Sequence, residues 1–287
     1  MSIRIRLWLF CTAFACLSPF TLAQQSQENE GPYFVTYPQY MEEPGDLEID
    51  LRAVQGKPNG GNRFLGSALE FEYGTRAWWA TEFYLDGQWT QNQSAIFTGW
   101  RLENRFRLLQ GNHPIIPILY VEYENLNAAD KSLLEVVGFD SKEDTAVPND
   151  IARLEHEHEL ETRLIVGGDF NHWNLSGNFI GEKDLSNKPW EFGYTAGVGR
   201  LLASAGTRQI LSAGVEFYGG LGDWHRFTVR DTSQYLGPCL TWRLPGRGPL
   251  LRVSPAFGLT SQSHGFLLRL GISQEIERLD RRIRGLF

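Results

Sequence analysis

The segment 69–85 reads LEFEYGTRAWWATEFYL, and its apolar residues recur at every second position. In an extended chain Leu69, Phe71 and Tyr73 share one face, and Glu70 and Glu72 share the other. Period-2 patterning of this kind marks a strand and does not suit an amphipathic helix. The pattern recurs along the chain. Alternating rows begin at Leu47, at Leu69, and again after a tight turn at Gly74, Thr75 and Arg76. Further rows begin at Trp100, Pro117, Leu160, Trp173, Trp190, Leu211, Leu236, Leu251 and Phe266, which makes twelve. Two architectures accept such strands. A soluble sandwich turns the apolar rows toward a core, whereas a transmembrane barrel turns them toward lipid and its polar rows toward a lumen.

The connections favour the barrel. Short turns are expected at 74–76, 110–113, 171–172, 204–207 and 245–249, alternating with longer loops at 56–63, 86–95, 126–155, 181–189 and 219–234; only 261–265 breaks the pattern. Outer-membrane barrels alternate short periplasmic turns with longer extracellular loops, and a sandwich has no reason to. Tryptophan placement agrees. Trp78, Trp79, Trp89, Trp100, Trp173, Trp190, Trp224 and Trp242 all fall near expected strand ends or in a loop, as interfacial girdles require.

Residues 1–23 combine a basic start (Arg4, Arg6), an apolar stretch and a small-residue ending at Ala23, the form of a cleaved secretory signal. Cys11 and Cys16 would leave with it, so Cys239 alone remains and no disulfide framework is expected. Thirty glycines and a hydrophobic content of 42 % suit strands that are apolar on one face only. The net charge is −7 and no Lys/Arg cluster points to nucleic acid. The expected fold is an all-β, transmembrane, antiparallel up-and-down barrel of about twelve strands. It comprises a signal (1–23), a periplasmic N-terminal extension (24–45), the outer-membrane barrel (46–276) and a basic C-terminal tail (277–287) ending on Phe287.

The polar rows are lopsided. The second to sixth strands aim Glu70, Glu72, Glu82, Tyr84, Arg101, Glu103, Arg105, Arg107, Tyr120, Glu122, Glu124, Glu159, Glu161 and Arg163 inward. The later strands offer mainly glycine, serine, threonine and alanine, among them Gly193, Gly197, Gly199 and Gly214, with Glu191, Glu216, Arg243, Arg252 and Arg269 as exceptions. A charged ladder facing a smooth wall leaves a polar passage between them, with Arg101 expected near Glu122 or Glu124. The alternative is mutual neutralisation that plugs the barrel, because unpaired charges are costly where water is scarce. The loop 126–155 carries Leu133, Leu134, Val136 and Val137 at helix-compatible spacing. It is read as a surface loop, with inward folding as a constriction the alternative.

The stretch GPYFVTYPQYMEEPGDLEI (31–49), the strand-turn-strand LEFEYGTRAWWATEF and the late segment NLSGNFIGE (174–182) resemble motifs of one bacterial family. These are the meta-pathway phenol-degradation outer-membrane barrels and their uncharacterised relatives. The chain departs from their pattern at Tyr37-Pro38-Gln39, where an acidic stretch is common, and at Leu47, where an aromatic is common. The resemblance implies a channel or transport role, with aromatic or other apolar molecules as solutes, and carries over no catalytic residue.

Enzyme chemistry has weaker support. Ser261, Ser263 and His264 sit together in TSQSHG, but no acidic residue neighbours them to orient a base, as a serine hydrolase needs. His156 and His158 stand two apart among Glu155, Glu157 and Glu159, which is a weak metal signal in a charged run. No catalytic residue, metal or cofactor is therefore assigned. The expected partners of the monomeric barrel are outer-membrane lipid, a small-molecule solute and the barrel-assembly machinery, with no nucleic acid. A closed barrel serving a structural or surface-binding role is the alternative, ahead of an outer-membrane hydrolase.

Overall fold

The computed structural model describes residues 31–284 apart from 59, 60, 112, 133, 134, 187 and 207. Twelve antiparallel strands run in sequence order: β1 Leu47–Gly56, β2 Phe64–Arg76, β3 Trp79–Thr90, β4 Ile96–Arg107, β5 Ile116–Asn127 and β6 His156–Phe170, then β7 Trp173–Asp184, β8 Trp190–Ala205, β9 Arg208–Asp223, β10 Gln234–Arg243, β11 Leu250–Gly258 and β12 Phe266–Ile276. Each pairs with its sequence neighbours, and β1 pairs with β12, so the sheet closes and leaves no edge. The expected signal (1–23) and the terminal Phe287 lie outside the described residues.

The faces follow the alternation. Leu51, Phe83, Leu102, Leu164, Phe179, Val215, Leu240 and Ile272 are exposed on the outside, while Glu70, Glu103, Glu122, Glu161 and Arg163 are buried inside. A contiguous apolar exterior around a charged interior is stable only in hydrocarbon, so the barrel is transmembrane. Trp78, Trp79 and Phe106 stack at the end of the short turns, with neighbouring ring centroids 6.2–6.4 Å apart. Phe192, Trp224 and Phe227 cluster at the end of the long loops.

Several boundaries differ from the sequence reading. The strand pair β2–β3 turns at 77–78 rather than 74–76, because β2 continues through Gly74, whose amide bonds to the Asp46 carbonyl at 3.0 Å. β4 starts at Ile96, so Trp100 lies inside the strand, packed between Phe83 and Tyr123 on neighbouring strands. β3 and β7 also extend beyond their expected ends, to Thr90 and Asp184. The contrast in connection length therefore rests chiefly on 128–155 and 224–233.

Three larger corrections concern the lumen. Residues 31–41, expected within a periplasmic extension, lie inside the barrel, with Tyr33, Phe34, Val35, Thr36, Tyr37 and Gln39 all buried. The loop 128–155, read as a surface loop, folds inward: Lys131, Val136 and Val137 are buried, and the Gly138 amide bonds to the Phe192 carbonyl at 3.0 Å. Leu133 and Leu134 lie outside the described residues. The helical turns of this loop fall later, at Asp144–Ala146 and α1 Asn149–Ala152. Val136 joins Phe34 and Val35 in one apolar cluster with Val54, Phe64, Tyr218 and Leu267. The N-terminal segment and the loop thus meet inside the barrel, and the open passage expected between the walls is filled. The C-terminal tail forms a short helix, α2 Leu279–Arg284, tied back by the Arg278 amide to Asp46 Oδ1 at 2.6 Å.

Candidate functional site in the lumen

The charged wall is a set of arginines, each holding more than one carboxylate. Arg101 donates to both oxygens of Asp86 at 3.0 Å and approaches Glu122 at 3.8 Å. Arg105 contacts Glu72, Glu82 at 2.5 Å and Glu103 at 2.9 Å. Arg163 pairs with Glu161 at 2.7 Å and with Glu135, carried by the inward loop, at 3.4 Å. Arg52 bridges Asp50 at 3.1 Å and Glu70 at 3.0 Å. The expected ladder residues Glu70, Glu82, Arg101, Glu103, Arg105, Tyr120, Glu122, Glu124, Glu161 and Arg163 are all buried. Glu72, Arg107 and Glu159 are half-buried at its margins.

Register arranges the carboxylates in a way the sequence did not reveal. Glu48, Glu72, Glu82, Glu103, Glu122, Glu161, Glu182 and Glu191 are successive cross-strand partners from β1 to β8. Glu48 is the second residue of β1, at the short-turn end, and Glu191 the second of β8, at the long-loop end. Strands in a barrel tilt about 35–45° from its axis, so a row perpendicular to them climbs as it circles. The row is therefore a carboxylate ramp from one mouth to the other. Like charges directly opposite each other destabilise a sheet, and the arginines of the next inward rows offset that cost.

The N-terminal segment spans the two walls. On one side Tyr37 inserts among the charges: Arg163 lies 4.7 Å and Arg105 5.4 Å from its ring, and its hydroxyl meets that of Tyr84 at 3.0 Å. On the other side Glu216 Oε2 accepts three consecutive backbone amides, from Phe34 (3.3 Å), Val35 (2.8 Å) and Thr36 (3.0 Å). Asn178 exchanges two 2.8 Å hydrogen bonds with the backbone of Tyr37, as a neighbouring strand would. The smooth wall is what lets the segment in. A Cβ on Gly197 would stand 2.4 Å from the Tyr33 ring, and one on Gly199 2.4 Å from Pro32. Those glycines are the shape of the plug in negative, which no local pattern announces.

At the short-turn mouth the plug leaves a small cleft of about 90 Å³ open to solvent, where Tyr33, Phe34, Tyr37, Tyr40 and Met41 meet Arg52, Arg105 and Arg252 and the carboxylates of Glu42, Glu48, Glu72 and Glu82. Aromatic faces beside paired guanidinium and carboxylate groups suit a small, partly apolar molecule that carries a polar group.

The other sequence candidates do not assemble. Ser263 Oγ lies 2.8 Å from both the amide and the carbonyl of Gln234, and the His264 ring bonds Thr145 at 3.1 Å and packs on Phe64. The two side chains serve separate loop contacts and do not form a nucleophile–base pair. Burial holds His264 well below its ordinary value, at about 4. His156 and His158 lie on the outward face of β6, where His158 Nδ1 meets Tyr123 at 2.9 Å, while Glu157 and Glu159 alternate with them and are half-buried. Histidines and glutamates thus sit on opposite faces of the strand and share no site.

Fold and lumen together define the class: a plugged transmembrane β-barrel. Its backbone is similar to that of an outer membrane channel from Pseudomonas putida F1, with a TM-score of 0.57 and 10 % identity over 82 % of this chain and 97 % of that one. It is less similar to the KdgM porin in complex with disordered oligogalacturonate, with a TM-score of 0.47 and 9 % identity over 80 % of this chain and 98 % of that one. The translocator domain of the autotransporter NalP from Neisseria meningitidis aligns with a TM-score of 0.44 and 12 % identity, over 82 % and 90 %. At these identities the first likeness shows a shared barrel fold. No family model matches the chain, and no curated protein is significantly similar to it in sequence.

Proposed function

We propose that the chain is an outer-membrane channel for small solutes, held shut in this conformation by residues 31–41 and the loop 128–155. The observation that carries this reading is the carboxylate ramp, which reaches both mouths of a transmembrane barrel past a plug seated in the lumen by hydrogen bonds and side-chain packing. A barrel built only as a scaffold gains nothing from lining its interior with buried charge, because desolvation makes such pairs break even at best against apolar packing. The mixed cleft at the short-turn mouth favours small aromatic or apolar molecules bearing a polar group, in keeping with the resemblance to the phenol-degradation barrels. The chain would reach the outer membrane as a monomer, by export on its N-terminal signal and insertion by the assembly machinery.

The test is single-channel recording in planar bilayers of the full mature chain and of a variant lacking residues 31–41. Small or rare current steps from the former and larger, stable steps from the latter are expected. Arg101→Ala in the deletion background should then alter conductance or ion preference. A closed barrel with a structural or surface-binding role is the second reading, favoured by the tight packing of Phe34, Val35 and Val136 across the lumen. Silence from a folded deletion variant would establish it over the channel.

A further inference from the structure

We infer that Glu161 and Glu182 of the ramp, together with Glu124 one inward position beyond Glu122 on β5, bind a divalent metal cation of the calcium type between β5, β6 and β7. One carboxylate oxygen from each of these residues lies within 4.8 Å of the other two. Two oxygens on one calcium ion, each about 2.3–2.6 Å from it, stand at most about 5 Å apart, so the three can share an ion with little movement.

A second observation points to a missing ligand. Glu161 is fully buried, and its Oε2 has no hydrogen-bond partner, although its Oε1 is taken by Arg163. Glu122, its cross-strand neighbour, is equally buried, and neither of its oxygens has a hydrogen-bond partner. Arg101 gives its Nε and Nη2 to Asp86 and approaches Glu122 only through Nη1, at 3.8 Å, beyond hydrogen-bond range. Buried carboxylate oxygens left without a hydrogen-bond partner are costly even beside an arginine, and a bound cation removes that cost.

The two other carboxylate clusters differ in this respect. In the group Glu157, Glu159 and Asp184, Lys188 already supplies the cation, at 3.2 Å from Glu157 and 2.9 Å from Asp184. In the group Glu42, Glu48 and Glu72, Glu48 Oε1 is also buried without a hydrogen-bond partner, but Arg105 holds Glu72 and the group lies at the solvent-open short-turn mouth. Among the described residues, only the middle group has its unpartnered oxygen on a glutamate closed off from solvent altogether, Glu161. Its donors are all carboxylate oxygens, which select a hard cation, and side chains on three separate strands suit the flexible coordination of calcium better than the octahedron of magnesium. Glu135 of the inward loop reaches Arg163 at the border of this group, so the ion would also brace the loop.

The experiment is calorimetric titration of calcium chloride into the folded, chelator-stripped mature chain in detergent, which reads binding independently of conduction. One saturable site is expected, with a Kd at or below the order of 10⁻³ M. It should weaken at least about tenfold in Glu182→Gln and in Glu161→Gln and persist in Glu157→Gln. Absence of saturable binding, or equal binding in all three variants, would overturn the assignment. The parent chain decides the matter if a variant does not fold. Chelation should then lower its thermal midpoint, and calcium but not sodium at equal ionic strength should restore it; a midpoint indifferent to chelation overturns the proposal.

Discussion

On the β2–β6 side of the lumen Arg101, Arg105 and Arg163 each hold two or three carboxylates, whereas on the β8–β9 side Gly197, Gly199 and Gly214 present no side chain at all. Both walls face the same segment, 31–41. The charged wall gives it strong local contacts, the Arg163 and Arg105 guanidiniums around Tyr37. The smooth wall gives it room, and Glu216, Asn174 and Asn178 accept a few directed hydrogen bonds from it. The difference teaches that a plug needs both a surface that holds it and a surface shaped to its absence. The charged wall would remain a charged wall without the plug. The glycine wall has its shape because the plug is there.

Filling the smooth wall should have the largest effect. Gly197→Leu should drive residues 31–41 out of the lumen, because even its Cβ would fall 2.4 Å from Tyr33. Limited proteolysis of the folded barrel should then clip the segment at least about tenfold faster, and channel current should appear. Gly177→Ala, whose Cβ would meet nothing closer than 3.7 Å, is the matched control and should behave as the parent.

The charged wall should respond in stability before it responds in shape. Arg105→Ala leaves Glu72, Glu82 and Glu103 without their shared cation, and the expected loss is about 3–5 kcal/mol in urea unfolding from detergent. Arg107→Ala, on the same strand but half-buried, should cost under about 1 kcal/mol. Equal losses for the two would mean that the wall is not organised around Arg105.

A smaller effect is expected where the plug meets the smooth wall. Glu216→Leu removes the acceptor of three backbone amides and should destabilise the closed form by about 1.5–3 kcal/mol, read as faster hydrogen exchange at Phe34, Val35 and Thr36. Exchange unchanged at those amides would show that the glycines alone seat the segment.

A separate effect is a pH step at the long-loop end. The folded state holds the His264 value at about 4 against an ordinary 6.5, so the unfolded chain binds the proton first. The contribution of this burial is fully present above about pH 6.5 and is lost as the pH falls toward 4. His264→Gln should flatten that part of the stability profile in thermal melts, and a profile identical to the parent's would assign the step to other groups.

Much of the barrel is legible in the chain itself. Whether a residue such as Leu69 or Glu70 faces lipid or lumen follows from its position in a period-2 row, because alternation is a property of the extended backbone. All twelve strands, and the nearness of Arg101 to Glu122 or Glu124, follow from that one rule and the order of the turns, whereas Asp86, the bidentate partner of Arg101, was assigned to a loop. Where it failed, as at the turn 77–78, the signal was Gly74, a residue that marks turns but here continues a strand.

What the sequence could not carry is everything set by shear and by contacts between distant segments. The glutamates of eight strands form a ramp only once register is fixed, and a one-residue slip in a strand would take it out of the row. The plug depends on Phe34 meeting Glu216 across 182 residues, and on glycines whose purpose is visible only against Tyr33. The loop 128–155 folds inward because the barrel offers it a buried apolar cluster, not because its own spacing requires it. Local periodicity determined which side of each strand is wet; the tertiary structure decided what fills the space those sides enclose.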